Sequence, residues 1–328
     1  MKTKQFIFIV SILFMVSCSP FSEDAATSPG LLFEIGLKYE KQQDYHQARE
    51  WYEKAAVQGD AKAQYNLGLM YVEALGVGQD YHQARKWFEK AAAQGDAKAQ
   101  HALGVIYFNG YGVQQDYHQA KEWYEKAATQ GFAVAQCNLG AIYFNGNGVQ
   151  QDYHQAKKWY EKAAAQGNAE AQYNLGLVYY NGNGVQQDYH QAREWYKKAA
   201  AQGNVDAQCN LGAMYSEGEG VRQDYHQAKK WFETAAAQGH AIAQNNLGFM
   251  HFNGYGVTQD YHQAREWYEK AAAQGDANAL FALGKMYADG VGVQQDRHRA
   301  KEWLGKACDN KSQKACDLYK ALDHQDNP

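Results

Sequence analysis

The segment NGNGVQQDYHQA occupies residues 145–156 and recurs letter for letter at residues 181–192, a spacing of 36 residues. The same period runs through most of the chain. All eight tryptophans follow it, at Trp51, Trp87, Trp123, Trp159, Trp195, Trp231, Trp267 and Trp303. A fixed period of this length is typical of solenoid proteins, in which each repeat buries its apolar face against its neighbours. The sequence therefore predicts one elongated array over roughly residues 31–322 instead of several compact domains.

Each repeat is predicted to contain two helices. In the first repeat, Asp44 is a favourable N-cap, and apolar residues recur at helical spacing over residues 45–56. Gly59 suits the end of this helix, and Asp60 suits the start of the next one. A glycine inside each second helix, such as Gly68, lowers helix propensity, so we expect close approach of a neighbouring backbone to compensate. The predicted fold class is all-α, with about eight helix-turn-helix repeats of 36 residues.

The glycines of the quoted segment also invite a nucleotide-binding interpretation. A dinucleotide fingerprint needs three glycines in G-x-G-x-x-G spacing between a strand and a helix. Here Gly146 and Gly148 follow a predicted helix, and the third glycine is missing. Asn-Gly is a turn signal. The pattern therefore favours a turn between two repeats over a phosphate-binding loop.

The repeat resembles the Sel1-like repeats, which are relatives of the tetratricopeptide repeat. Residues 169–203, AEAQYNLGLVYYNGNGVQQDYHQAREWYKKAAAQG, match the family pattern almost throughout. The resemblance implies an all-α, right-handed superhelical solenoid that usually holds other proteins. Measured against the pattern, the chain divides into an N-terminal cap helix at 31–43, Sel1-like repeats at 44–302, C-terminal capping helices at 303–322 and a tail at 323–328.

The first thirty residues are typical of an export signal. Lys2 and Lys4 precede a short apolar run, which is followed by Ser17 and Cys18. This arrangement resembles a bacterial lipoprotein signal, which implies removal of residues 1–17, lipidation of Cys18 and a tether over residues 18–30. The residue after the cysteine is not aspartate, which implies an outer-membrane lipoprotein that faces the periplasm. The alternative is an ordinary secretory signal, which would leave a secreted or soluble periplasmic protein.

The cysteines beyond the signal form two groups. Cys308 and Cys316 lie where a cysteine-rich branch of the Sel1-like family carries a cysteine pair, so the resemblance implies a disulfide between them. Two free thiols in a terminal cap are the alternative. Cys137 and Cys209 occupy the same position two repeats apart. Since packed helices lie about 10 Å apart, these two are beyond disulfide reach, and we expect them to be small buried residues.

The second helices differ most between repeats, and the differences fall on one stripe. In the first repeat the stripe contains Tyr65, Leu69 and Val72, at i, i+4 and i+7 spacing. It is largely apolar, so it either packs against the next repeat or docks a partner segment. The candidate partner-binding residues are the stripe aromatics Phe108, Phe144, Tyr180 and Phe252, together with the loop residues Tyr111 and Tyr255.

The predicted function is a non-enzymatic, envelope-anchored scaffold that binds protein or peptide partners. Acidic residues number 36 and basic residues 32, without a basic stripe, which argues against nucleic acid. The sequence contains no G-x-S-x-G or H-E-x-x-H motif, and no cofactor or metal is expected. One histidine per repeat, from His46 to His298, lies on helices about 10 Å apart, too far to share an ion. Two alternatives remain: an enzyme acting on β-lactams, implied by the cysteine-rich branch, and a cell-wall glycan binder.

Overall fold

The computed structural model describes residues 28–326, which form seventeen α-helices and no β-strand within that range. The helices are α1 (Pro29–Lys41), α2 (Tyr45–Val57), α3 (Ala61–Glu73), α4 (Tyr81–Ala93), α5 (Ala97–Asn109), α6 (Tyr117–Thr129), α7 (Ala133–Asn145), α8 (Tyr153–Ala165), α9 (Ala169–Asn181), α10 (Tyr189–Ala201), α11 (Val205–Glu217), α12 (Tyr225–Ala237), α13 (Ala241–Asn253), α14 (Tyr261–Ala273), α15 (Ala277–Asp289), α16 (Arg297–Asp309) and α17 (Gln313–Asp326). The predicted all-α array of helix pairs is confirmed. The predicted signal peptide and Cys18 lie outside the described residues.

Helix boundaries follow the capping residues that recur in each repeat. Asp44 accepts the backbone N–H of Gln47 at 3.1 Å at the start of α2, and Asp60 accepts that of Ala63 at 2.7 Å at the start of α3. Second helices end at a residue in the left-handed conformation, as at Gly146 with φ of 73°. Glycine adopts this conformation without a steric penalty, and so the Asn-Gly turn recurs after the second helix.

The chain forms two compact units, one with α1–α5 and the other with α6–α17. In each unit the buried core combines alanines with one large side chain per first helix, for example Tyr52 in the first unit and Tyr196 in the second. Tyr71 and Trp87 pack on the core of the first unit, and Trp231 packs on a core cluster of the second. The period of 36 residues therefore places equivalent side chains at equivalent positions in successive hairpins.

The glycine inside most second helices makes room for an aromatic ring, and that of α15, Gly284, makes room for Leu304. A Cβ atom on Gly68 would lie 2.5 Å from the ring of Phe88, and a Cβ atom on Gly140 would lie 2.6 Å from the ring of Tyr160. Both rings belong to the following first helix and are buried. The expected close approach of a backbone is therefore wrong at these positions, because the neighbour is a side chain.

Buried glutamines connect neighbouring hairpins. Gln136 on α7 donates its Nε2 hydrogen to the carbonyl oxygen of Ala128 at 3.0 Å, and its Oε1 accepts from Gln166 Nε2 at 2.8 Å. Ala128 belongs to the same hairpin, whereas Gln166 ends the first helix of the next one. The pair Gln172 and Gln202 repeats the arrangement at 2.8 Å. Since a buried amide needs partners, these bonds favour one register between hairpins.

The C-terminal hairpin is closed by a disulfide. Cys308 on α16 and Cys316 on α17 are bonded, with their Cα atoms 4.7 Å apart. The pairing implied by the family resemblance is therefore confirmed. A covalent link across so short a loop stabilises the folded hairpin by about 2–3 kcal/mol, because it restricts the unfolded chain. Within the described part of the chain, no helix is both long enough and apolar enough to cross a membrane.

Candidate functional site

The four stripe aromatics are all half-buried. Phe144, Tyr180 and Phe252 pack on the helix that follows. Phe144 meets Tyr153 edge-on, with ring centroids 5.1 Å apart. Phe252 has the same relation to Tyr261, also at 5.1 Å. These contacts support the interpretation that the stripe packs against the next repeat, although both residues remain partly exposed. Their role in partner binding stays a prediction.

Tyr180 makes a hydrogen bond as well as a ring contact. Its hydroxyl donates to Glu219 Oε2 at 2.6 Å, and its ring meets Tyr189 edge-on at 5.1 Å. Burial, followed by this hydrogen bond, raises the pKa of Tyr180 well above its usual value. The ring is thus fixed by its own chain, and a partner would meet it as a rigid surface.

The two loop tyrosines are braced in the same way and are exposed. Tyr111 stacks on Tyr81 with ring centroids 5.0 Å apart, and Tyr255 stacks on Tyr225 at 4.9 Å. Tyr255 also touches Phe249 edge-on at 5.7 Å. Rigid exposed aromatics are suited to contact a partner at a low cost in conformational entropy.

A groove of about 480 Å³ lies between the second helices α13 and α15. Its apolar side is formed by the rings of Phe249, Phe252 and Phe281, and Tyr268 of α14 also lines it. Phe249 is 51% exposed, and Ile242, two turns earlier on α13, is 54% exposed. Exposed apolar side chains next to a concave surface are typical of a binding site.

Polar side chains also line the groove. They are the amides of Asn245, Asn246, Asn253 and Asn278 and the charged groups of Lys285 and Asp289. Of these amides, that of Asn253 is already used, because it donates to the carbonyl oxygen of Phe249 at 2.8 Å. The arrangement combines apolar surface with groups that hydrogen-bond to a peptide backbone.

Sequence comparison of the repeats did not identify Asn246, Tyr268 or Lys285 as site residues. One signal was visible beforehand: Lys285 occupies the position that holds an apolar residue in each preceding repeat, from Leu69 to Phe249. The convergence of these residues on one groove needed the structure, since Tyr268 belongs to a different helix from Asn246 and Lys285.

The two free cysteines among the described residues are unsuited to nucleophilic chemistry. Cys137 and Cys209 are buried, and burial raises the pKa of each thiol to about 12. A reactive cysteine requires an accessible thiolate near neutral pH. Among the residues that the structure describes, no group of three or more metal-ligating side chains comes together.

These features define a class, namely an all-α solenoid of helix hairpins that carries a groove on its second helices. The family follows from the sequence: the Sel1 repeat model matches residues 30–60, 61–96, 97–132, 133–168, 169–204, 205–240, 241–276 and 277–312. The chain belongs to the Sel1 repeat family. Proteins built from these repeats generally act as scaffolds for protein interaction.

Solved structures show the same fold. A protective antigen present in uropathogenic Escherichia coli strains, described as displaying an SLR fold, is 37% identical with a TM-score of 0.80. The match covers 92% of this chain and 66% of that protein. A Sel1 repeat protein from Oxalobacter formigenes is 35% identical with a TM-score of 0.69, covering 90% of this chain and 86% of that one.

A more distant likeness extends to yeast Tom70, which is 15% identical with a TM-score of 0.50. The match covers 98% of this chain and 68% of Tom70 and shows a common fold alone. No curated protein matches the sequence.

Proposed function

We propose that the protein is a non-catalytic scaffold that binds a protein or peptide partner on the face of its second helices, with the groove between α13 and α15 as the principal site. The observation that carries the proposal is the groove itself, where the exposed ring of Phe249 adjoins unused amides. The stripe aromatics and loop tyrosines elsewhere supply further rigid contact surface. A partner that crosses several repeats of the unit formed by α6–α17 would combine the contacts within that unit.

The proposal includes export and attachment to the envelope through a lipid on Cys18. Its support is the charged and apolar N-terminal segment that ends in Ser17-Cys18, together with the disulfide between Cys308 and Cys316. Disulfides persist in oxidising compartments and are rare in the reducing cytosol. The outer membrane is the proposed destination, because no aspartate follows Cys18.

Site-specific photocrosslinking in cells tests the binding site. A photoreactive phenylalanine analogue is introduced at Phe249 in the groove or at Val57, a control residue that is 79% exposed and does not line the groove. We expect discrete protein adducts from position 249 and few from position 57. Equal adduct patterns at the two positions, or none at position 249, would remove the groove as the principal site.

A second experiment tests the anchor. Cells that produce the parent chain or the variant Cys18→Ala are separated into membrane and soluble fractions. We expect the parent in the outer-membrane fraction, with a mass that includes acyl chains, and the variant unlipidated. A parent chain that is cleaved elsewhere and released in soluble form would contradict the lipid anchor and favour the secretory alternative.

A further inference from the structure

Tyrosine and asparagine are paired within most repeats. Tyr52, Tyr124, Tyr160 and Tyr196 each have an asparagine fourteen positions later, at Asn66, Asn138, Asn174 and Asn210. In the first of these pairs Asn66 Nδ2 donates to the tyrosine hydroxyl at 3.2 Å, and Asn138 bonds to Tyr124 in the second. Where the ring is Phe88, without a hydroxyl, the later position is Ala102. In the other two pairs this bond is not formed, because Asn174 bonds to Cys137 Sγ at 3.8 Å and the Tyr196 hydroxyl is buried without a hydrogen-bond partner. The asparagine therefore accompanies the hydroxyl in the sequence and bonds to it in two of the four repeats.

Two repeats depart from this pairing, and residues of both line the groove between α13 and α15. Phe232 has no hydroxyl, yet the asparagine, Asn246, is present. Tyr268 has a hydroxyl, yet Ala282 replaces the asparagine. Asn246, Tyr268 and Ala282 all line the groove. The small side chain of Ala282 also leaves space that an asparagine would occupy.

Each break leaves a polar group unused. Tyr268 is only 4% exposed, and neither its hydroxyl nor the amide of Asn246 has a hydrogen-bond partner among residues 28–326. Burial raises the pKa of Tyr268, so the hydroxyl keeps its proton and can donate. Buried polar groups are normally paired, and an unpaired one that lines a groove is placed to meet a ligand. An amide that both donates and accepts matches a peptide backbone.

Lys285 adds a charge to the groove. It is exposed, and no carboxylate of the described residues lies within ion-pair distance of it. The position is one helical turn after Phe281, so the two side chains lie about 5–6 Å apart at Cβ. An extended peptide covers that distance in about two residues. Asp289 lies one turn further along α15, where its charge repels a ligand carboxylate placed next to it.

We infer that the groove between α13 and α15 binds an extended peptide segment of a partner protein that carries a bulky apolar side chain and, about two residues away, a carboxylate. The apolar side chain enters among the rings of Phe249, Phe252 and Phe281. Tyr268 and Asn246 bond the peptide backbone, and Lys285 pairs with the carboxylate. The inference rests on the proposed scaffold function and names the chemistry of its ligand.

Short peptide libraries test the inference by fluorescence polarisation with residues 19–328, which lack the N-terminal signal segment and Cys18. Each library fixes phenylalanine or leucine at the centre and places glutamate, alanine or lysine about two residues away. We expect the glutamate library to bind about tenfold more tightly than the lysine library, as for a charge-assisted contact. The variant Lys285→Glu should reverse that order. Lys158→Glu, a matched charge change at an exposed lysine of α8, should leave that order unchanged.

A second variant separates binding from stability. Ala282→Asn supplies the missing partner of Tyr268 and fills the groove, so we expect peptide binding to be lost in every library while the melting temperature is kept or raised. Tyr268→Phe, which removes only the hydroxyl, should weaken binding about threefold to tenfold.

The inference is overturned if the libraries bind without a charge preference, if Lys285→Glu leaves the preference unchanged, or if no library binds more tightly to the parent than to Ala282→Asn. None of these results would remove the scaffold function by itself, because photocrosslinking at Phe249 reports any protein partner. Failure of crosslinking there, by contrast, would remove the proposed site whatever the peptide preference.

Discussion

The substitution Gly140→Ala is expected to destabilise the protein although it improves helix propensity. Alanine in a helix interior is favoured over glycine by about 1 kcal/mol. The new Cβ atom would lie 2.6 and 2.7 Å from two ring carbons of Tyr160, where about 3.5 Å is needed, so the ring would have to move by almost 1 Å. Tyr160 is 2% exposed and packs against Phe144, so the ring has no free space. Overpacking of this kind costs about 1–3 kcal/mol, so after the gain in helix propensity we expect a net loss of up to about 2 kcal/mol.

Gly305→Ala is the matched control. Gly305 also lies inside a helix, but a Cβ atom there would meet its nearest neighbour, Tyr319, at 3.7 Å, which is an ordinary contact distance. This variant should gain about 0.5–1 kcal/mol. The assay is urea unfolding followed by circular dichroism, with midpoints and slopes compared between the two variants and the parent. A higher midpoint for both variants would refute the account of the helix glycine as space for the ring.

Three further outcomes follow from contacts in the structure. Replacement of Cys308 and Cys316 by serine should lower the free energy of unfolding by about 2–3 kcal/mol, measured by denaturation with and without reductant, and equal midpoints would contradict a stabilising disulfide. Burial lowers the pKa of His101 to about 4, so folding favours the neutral imidazole. The contribution of this group to the free energy of unfolding, at most about 3 kcal/mol, is complete above pH 6.5 and is lost as the pH falls towards 4. His101→Phe should flatten the stability profile over that range, and identical profiles for variant and parent would contradict this assignment. Gln136→Ala removes the acceptor of Gln166 and should lower the free energy of unfolding by about 1–3 kcal/mol, measured by thermal or urea unfolding. An unchanged free energy would show that the hydrogen bond does not stabilise the fold.

Much of the fold could be predicted because its signals are local and repeated. The aspartate at Asp44, the apolar spacing that follows it and the turn at Gly59 specify a helix without reference to the rest of the chain. Within each unit, repetition at 36 residues then favours the same packing of each hairpin on the next. The disulfide between Cys308 and Cys316 came from family resemblance, and the structure confirms it.

The candidate site was less accessible to sequence reasoning. The stripe of the second helices was identified, but Phe144 and Phe249 occupy nearby stripe positions with different surroundings. Phe144 packs edge-on against the next helix, whereas Phe249 is largely exposed beside the groove. Helical spacing shows which residues share a face, but it does not show how much of that face a neighbouring helix covers.

The amino-acid sequence by itself therefore determined the period, the helix pairs, their caps and the family, because each depends on residues close together in the chain or on their repetition. The tertiary structure alone decided where the regular packing leaves space. The groove is lined by Ala282, where five earlier repeats carry an asparagine, and by Tyr268, which lies fourteen residues earlier on another helix. Such a gap depends on the volumes and hydrogen bonds of side chains that three different helices contribute. A local pattern in the sequence does not show which of these side chains meet.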